Sequence, residues 1–339
     1  MKTYQDGEIY FIRETEYPSG NLSSFVKIGL VRYKEDRDSY GRLSEHQTGN
    51  PRRLSLEDKY IVKTQAVDMV EARLHRIYSH SRISGEWFEL ANEKELDDAI
   101  AEAQRLAKEV ASYMPKFETA MKLDTVRSNK QTRAATDREL DLIQQLIVAR
   151  KQSKTCEEHE KEIKAILTKA YSEGADIAVA AKTTMRTYSP KFDSALFEKE
   201  NEALFQEFLG KVEQWKHTFD PIPRAKDLGA EFNEAIAGVR AILESVILSG
   251  NYFEIVEATL TLANLKGIAD WEAKVAEAEL KIAIDLHDEI KDVVRWKRFY
   301  DPVPKLDEAR LAAEHPVVYK KYIKTPEPTP LVNLKKTKS

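Results

Sequence analysis

Five short stretches decide how this chain reads: GEIYFIRE (7–14), VKIGL (26–30), GRLSEHQTGNP (41–51), VEARLHRIY (70–78) and GEWFEL (85–90). The first is β-branched and aromatic at its centre, and the YPSGNLSS segment after it (17–24) supplies Pro18, Gly20 and Asn21 as turn punctuation. A second strand-like run at 25–31 is interrupted by Gly29, so the pair reads as an antiparallel hairpin with a long polar connection. A glycine inside a strand leaves one face bare and lets a backbone, a tyrosine or a ligand come close. Residues 60–64 make a third short strand. Residues 66–80 then place Val67, Val70, Leu74, Ile77 and Tyr78 at helical spacing, with Glu71 beside that apolar stripe. The expected N-terminal fold is α+β, a three-stranded antiparallel sheet flanked by helices.

After Leu90 the texture becomes helical. Asn92 with Glu95 makes a capping-box pattern, and the amphipathic run continues to about residue 114, where Pro115 is expected to break or kink it. The polar TVRSNKQTRAAT (125–136) has no apolar period and reads as a linker. From Asp137 onward the expectation is long helices interrupted at Gly174, Pro190, Pro221, Pro223, Gly250 and Gly267. The division expected is a small domain at 1–92, a helical extension at 93–124, the linker, a helical domain at 137–324 and a flexible basic tail at 325–339.

Two repeats lie inside the helical half. WKxx[FY]DPxP[KR] occurs once from Trp215 to Arg224 and again from Trp296 to Lys305. Separately, Pro190, Lys191, Asp193, Ala195, Glu200, Phe205 and Phe208 match Pro304, Lys305, Asp307, Ala309, Glu314, Tyr319 and Tyr322 at one offset. DPxP cannot continue a helix, so each copy is expected to end one, with the tryptophan covering the proline rings. Asp193 and Asp307 are expected to cap the short helices that follow.

Bulk composition narrows the function classes. The chain has 339 residues, 42% of them hydrophobic, which is enough for two or three cored domains. Its net charge of -4 offers no global attraction for nucleic acid, and the first 90 residues carry equal numbers of acids and bases. A nucleic-acid function must therefore rest on local residues. Cys156 stands alone, which excludes an internal disulfide and, without an apolar N-terminal run, points to a reducing cytoplasm. No stretch approaches the ~20 apolar residues that a membrane span needs.

The N-terminal segment carries Tyr10, Lys27, Arg42, His46, Glu71, His75 and Glu86 on or beside ordered elements. Phosphodiester cleavage uses such a mixture: a divalent ion on hard oxygen ligands, a base for water, and a cation for charge developing on phosphorus. Singly, each has an ordinary alternative. Tyr10 can be a strand aromatic, Arg42 and His46 a surface pair, and Glu71 a helix charge pairing with His75. Glu86 reads as structural, following a turn glycine while Trp87 and Phe88 fill core.

In their order, these five stretches resemble the GIY-YIG endonuclease superfamily, in the phage and bacterial branch where KIG replaces the second tyrosine motif and GEWF closes the domain. The resemblance covers 7–90. Gly7, Ile9 and Tyr10 stand at the first motif, with Glu8 inserted, and Lys27, Ile28 and Gly29 stand at the second. It implies that Tyr10 lies near the attacking water as a general base, with Lys27 helping to orient or activate that water. It further implies that Arg42 steadies the pentavalent phosphate, with Arg32 and Arg37 as alternatives across a long loop, and that His46 assists proton traffic. Glu71 matches the glutamate that holds the metal, usually Mg2+. DNA is the implied substrate. The helical half resembles the C-terminal helical segments of YqaJ-type phage recombination exonucleases, through FD followed by PxxYxxY, compared with EHPVVYKKY (314–322). That implies phage or prophage DNA metabolism. Two rivals remain: a catalytically silent nucleic-acid-binding module, and a scaffold whose helices bind a protein partner.

Overall fold

The strand-forming run near the N-terminus becomes β1 (Gly7–Thr15), in which Ile9, Tyr10, Phe11 and Ile12 are all fully buried. Successive strand side chains point to opposite faces, so burial of all four means that both faces of β1 are covered. A computed structural model of the chain describes residues 4–15, 19–33, 37–48 and 50–335. Pro18, named above as turn punctuation, and Gly49 of the GRLSEHQTGNP stretch lie outside the described residues.

β2 (Leu22–Arg32) pairs antiparallel with β1, setting Tyr10 opposite Gly29 and Ile12 opposite Lys27. The polar segment after it forms α1 (Ser39–Gln47), capped by the Asp38 carboxylate, which accepts from the Gly41 N–H at 2.7 Å. β3 (Leu54–Ser55) and β4 (Ile61–Thr64) then follow one another along the other edge of β1. α2 (Val67–Ile77) buries Val67, Val70 and Leu74, and β5 (Arg82–Ser84) and β6 (Trp87–Glu89) extend the sheet beyond β2. The sheet has six strands, in the order β3-β1-β2-β6-β5 with β4 also on β1, instead of the three expected. The additional strands β3, β5 and β6 are two or three residues long, too short for an alternating pattern to register.

α3 (Glu93–Leu123) starts at Asn92, whose side chain accepts from the Glu95 N–H, and runs through Pro115 without ending there. Its Ala99, Ala103, Leu106, Val110 and Phe117 join the sheet's core, so tertiary burial outweighs the hydrogen bond lost at the proline. The stretch read as a linker contributes β7 (Thr132–Arg133). α4 (Asp137–Ser172) follows, opened by a Thr136–Glu139 capping box and burying Cys156, whose thiol pKa burial pushes up to about 11.

Downstream come β8 (Ala181–Arg186), β9 (Lys191–Phe192), α5 (Ser194–Glu200), α6 (Glu202–Glu207) and β10 (Leu209–Pro221). Two long helices follow, α7 (Ala230–Ser249), ended by Gly250 in the left-handed conformation, and α8 (Glu254–Ile284). The chain closes with β11 (Glu289–Ile290), β12 (Val294–Leu306), α9 (Glu308–Glu314), α10 (Pro316–Lys321), β13 (Ile323–Lys324) and β14 (Thr329–Leu334). Among the described residues no helix is long and apolar enough to cross a membrane.

This half is mostly helical but not continuously so. The WKxx[FY]DPxP[KR] copies are strands rather than helix ends, the first as far as Pro221 and the second throughout: β10 pairs antiparallel with β12 along thirteen residues each. Their antiparallel register places the tryptophan of each copy opposite the second aromatic of the other, Trp215 with Tyr300 and Phe219 with Trp296, ring centroids 5.4 and 5.8 Å apart. Cross-strand aromatic pairs of this kind stabilise a ribbon, which is why the tryptophans serve it and not the proline rings. The second repeat has a different offset and so a pseudo-two-fold axis of its own. Asp193 donates its N–H to the Tyr322 carbonyl, and Asp307 donates to that of Phe208. Both aspartates cap short helices, as their positions led one to expect. The proline-spaced tail is not free either, since β14 pairs with β8 along its whole length; residues 336–339 lie outside the described residues.

α8 carries the helical half onto the N-terminal sheet. Arg73 of α2 stacks 4.2 Å from the Trp271 ring centroid while donating to both Glu109 carboxylate oxygens at 3.0 Å. Gly267, expected to interrupt a helix, sits inside α8, where its bare surface seats the Arg76 guanidinium and any Cβ would collide with it.

Candidate active site

The bare face of Gly29 is filled by the ring and hydroxyl of its cross-strand neighbour Tyr10, which a Cβ at residue 29 would overlap. That contact aims the buried tyrosine at a cleft of about 330 Å³ lined by Arg32, Arg37, Arg42, Glu71 and Glu86, besides Tyr10 itself and backbone-neighbouring Leu30 and Val31. β1, β2, α1, α2 and the turn before β6 each supply one or more of these side chains.

The helix α1 brings two of the residues singled out in the sequence. His46 Nε2 lies 3.2 Å from the Tyr10 hydroxyl, and the Arg42 guanidinium stands beside the same oxygen. Burial raises the Tyr10 pKa to about 12, Glu86 and Glu71 push in the same direction, and Arg42 opposes them. Burial, with Lys27 and Arg42 nearby, lowers the His46 pKa below its ordinary 6.5. At neutral pH the tyrosine is therefore protonated and the imidazole neutral. Arg42 also pairs with Glu45, which sits 3.4 Å from Arg37. All three arginines considered for the phosphate face this cleft, Arg42 next to the tyrosine and Arg32 held by Asp68 of α2.

Glu71 enters from α2. Burial first, then repulsion from Glu86 and Asp68, raises its pKa to about 7, and among the described residues no side chain hydrogen-bonds or ion-pairs with its carboxylate. His75, one turn on, does not pair with it. The His75 Nε2–H instead donates to the Ile28 carbonyl at 2.8 Å, fixing α2 against β2 between Lys27 and Gly29. Behind Glu71 a second cavity of about 370 Å³ extends to α4 and α8. Lys27 reaches the site through Glu86, donating to its carboxylate at 2.6 Å. Burial alone would raise the Glu86 pKa, but Lys27 outweighs it and holds the group below the ordinary carboxylate value.

No family model, curated protein or solved structure matches this chain. The site therefore stands on its own geometry.

Two residues matter here that the sequence left aside. Glu86, read as structural, lines the cleft. Glu8, an apparent insertion, is buried and accepts from the Ser39 N–H at 3.2 Å, the Ser39 hydroxyl at 2.6 Å and the Tyr33 hydroxyl at 3.1 Å. It ties the start of α1, and hence Arg42 and His46, to β1. Glu8→Ala leaves these donors without their acceptor and is expected to cost about 2 kcal/mol. A thermal or urea melt checks this, and an unchanged midpoint would show that Glu8 does not anchor α1.

Proposed function

We propose that the N-terminal domain is a metal-dependent endonuclease that hydrolyses DNA phosphodiester bonds, in line with its GIY-YIG resemblance. One observation carries this reading: Tyr10, Arg42 and Glu71, from three elements distant in sequence, meet in one arginine-rich cleft. Three arginines facing a cleft suit a phosphodiester anion, and a tyrosine, a neutral imidazole and a carboxylate with no pairing side chain among the described residues suit its hydrolysis.

The carboxylates suit a hard divalent cation, with Mg2+ expected. Among the described residues no group of three or more His, Cys, Asp or Glu side chains forms a metal cage. Mg2+ needs none, since it binds through one or two carboxylates together with substrate phosphates and water. Glu71 would hold it, with Glu86 adding negative potential, because a cation there relieves the burial and repulsion that suppress Glu71 ionisation. When bound, such an ion supplies Lewis-acid polarisation of the phosphate.

The chain's own groups do the rest. Arg42 faces the oxygen on which negative charge grows. Tyr10 takes a proton from the attacking water as its own phenolic proton passes to His46 Nε2. Lys27 keeps Glu86 ionised. The helical half, docked through Arg73 and Arg76, positions this domain on its substrate or on a protein partner.

A plasmid-nicking assay tests the reading. Supercoiled DNA is expected to be nicked with Mg2+ and left intact with EDTA, and Glu71→Ala is expected to lose about a thousandfold in rate. DNA binding without metal-dependent cleavage would replace this conclusion with a silent binding module.

A further inference from the structure

The β10–β12 ribbon leads from the helical body to the duplicated C-terminal module and leaves one of its faces exposed. Partners across an antiparallel pair share a face, so Lys216 opposite Phe299 and Thr218 opposite Lys297 lie together on one side. The other side carries Trp296 and Arg298, both buried. On the first side Lys297, Thr218 and Phe299 are exposed, with Phe299 at 40%. Neither Lys216 nor Lys297 has an ion-pair partner among the described residues. The register positions of this side also include two acids, Asp220 opposite Arg295 and Asp301 opposite Gln214, and Glu289 holds Arg295 at 3.1 Å.

Lys216 and Lys297 are the same position of the repeated WKxx[FY]DPxP[KR] motif, so the pseudo-two-fold axis of the ribbon relates them. We propose that this face of the ribbon binds duplex DNA, with the two motif lysines contacting phosphates of opposite strands. A duplex presents two antiparallel strands related by local two-fold axes, and its major groove admits a two-stranded β-ribbon. Thirteen residues at about 3.3 Å each span about 40 Å, somewhat more than one helical turn of DNA at about 34 Å. The inference rests on DNA being the substrate, and it adds a contact surface outside the catalytic cleft.

Binding of a 30-base-pair fluorescent duplex by the full chain in EDTA isolates this surface from cleavage. Lys216→Ala with Lys297→Ala is expected to weaken binding at least tenfold and to make the log–log salt slope shallower by about 2, one phosphate per lysine. Lys216→Arg with Lys297→Arg is expected to retain both affinity and slope. Because binding is read in EDTA, where nothing is cut, a failed nuclease reading leaves this result intact. The Lys→Gln pair repeats the measurement should the alanine pair melt early. Unchanged affinity and slope in the alanine or glutamine pair would overturn the proposal, as would tighter binding of the corresponding single strand.

Discussion

Glu71→Gln is expected to abolish nicking and, at pH 8, to make the protein more stable than its parent. The carboxylate is destabilised by its surroundings: burial and the neighbouring Glu86 and Asp68 raise its pKa from an ordinary 4.5 to about 7. Between those two pH values the folded chain holds a proton that the unfolded chain has released, so this group's contribution to stability falls as pH rises from about 4.5 to about 7 and is flat above. Glutamine has the same shape and no charge to desolvate. Its gain at pH 8 is on the order of 1–2 kcal/mol once solvent screening in the open cleft is included, and it vanishes near pH 4. Mg2+ reverses the order when it is well above its Kd. At about a hundred times its Kd the ion adds about 2.7 kcal/mol to the parent and nothing to Glu71→Gln. Melts at pH 4 and pH 8, with and without Mg2+, measure all of this. An equal Mg2+ response in both proteins, or a Glu71→Gln variant that still nicks DNA, would remove Glu71 as the metal-holding group.

The same tension explains how much of the site could be read from the sequence. Gly29 was legible, because a glycine in an otherwise β-branched strand has few reasons to exist and the close approach of a tyrosine is one of them; Tyr10 occupies that space. Glu71 was legible as a carboxylate next to an apolar helical stripe. Glu86 was not, because its significance depends on Lys27, a partner on another strand that local pattern cannot reveal. Glu8 was hidden for the same reason, since its three donors come from Tyr33 and Ser39 across a loop. The helical half shows the limit most clearly. Its repeats were visible, but DPxP was read locally as a helix stop, whereas two copies brought together antiparallel satisfy each other as strands. Repetition showed that the two segments are alike; only tertiary pairing determined what they become.

The proton path through Tyr10 makes the second large prediction. A tyrosine whose pKa is about 12 is ionised in only about one molecule in 10⁵ at pH 7, so tyrosinate is too scarce to be the resting base. His46 supplies the missing acceptor: its pKa lies below 6.5, its Nε2 is 3.2 Å from the phenol, and Arg42 stabilises the oxygen between them. In the proposed relay, water loses its proton to Tyr10 as Tyr10 gives its own to His46, so no tyrosinate accumulates. At saturating Mg2+, where the ion has displaced the Glu71 proton, kcat is expected to rise as pH climbs through the lowered His46 pKa and then to level off. Tyr10→Phe keeps the ring against Gly29 and removes only the relay oxygen; it is expected to lose about 10²–10⁴ in kcat with little change in melting. His46→Ala is expected to lose about 10² and to change the shape of the profile, since without the imidazole the phenol must ionise into solvent and the rate climbs steadily with pH through the neutral range. A plateau retained in His46→Ala would mean that the imidazole does not receive the proton. A Tyr10→Phe enzyme within a fewfold of the parent would mean that water reaches its base by another route, leaving Arg42 and Glu71 as the groups on which cleavage depends.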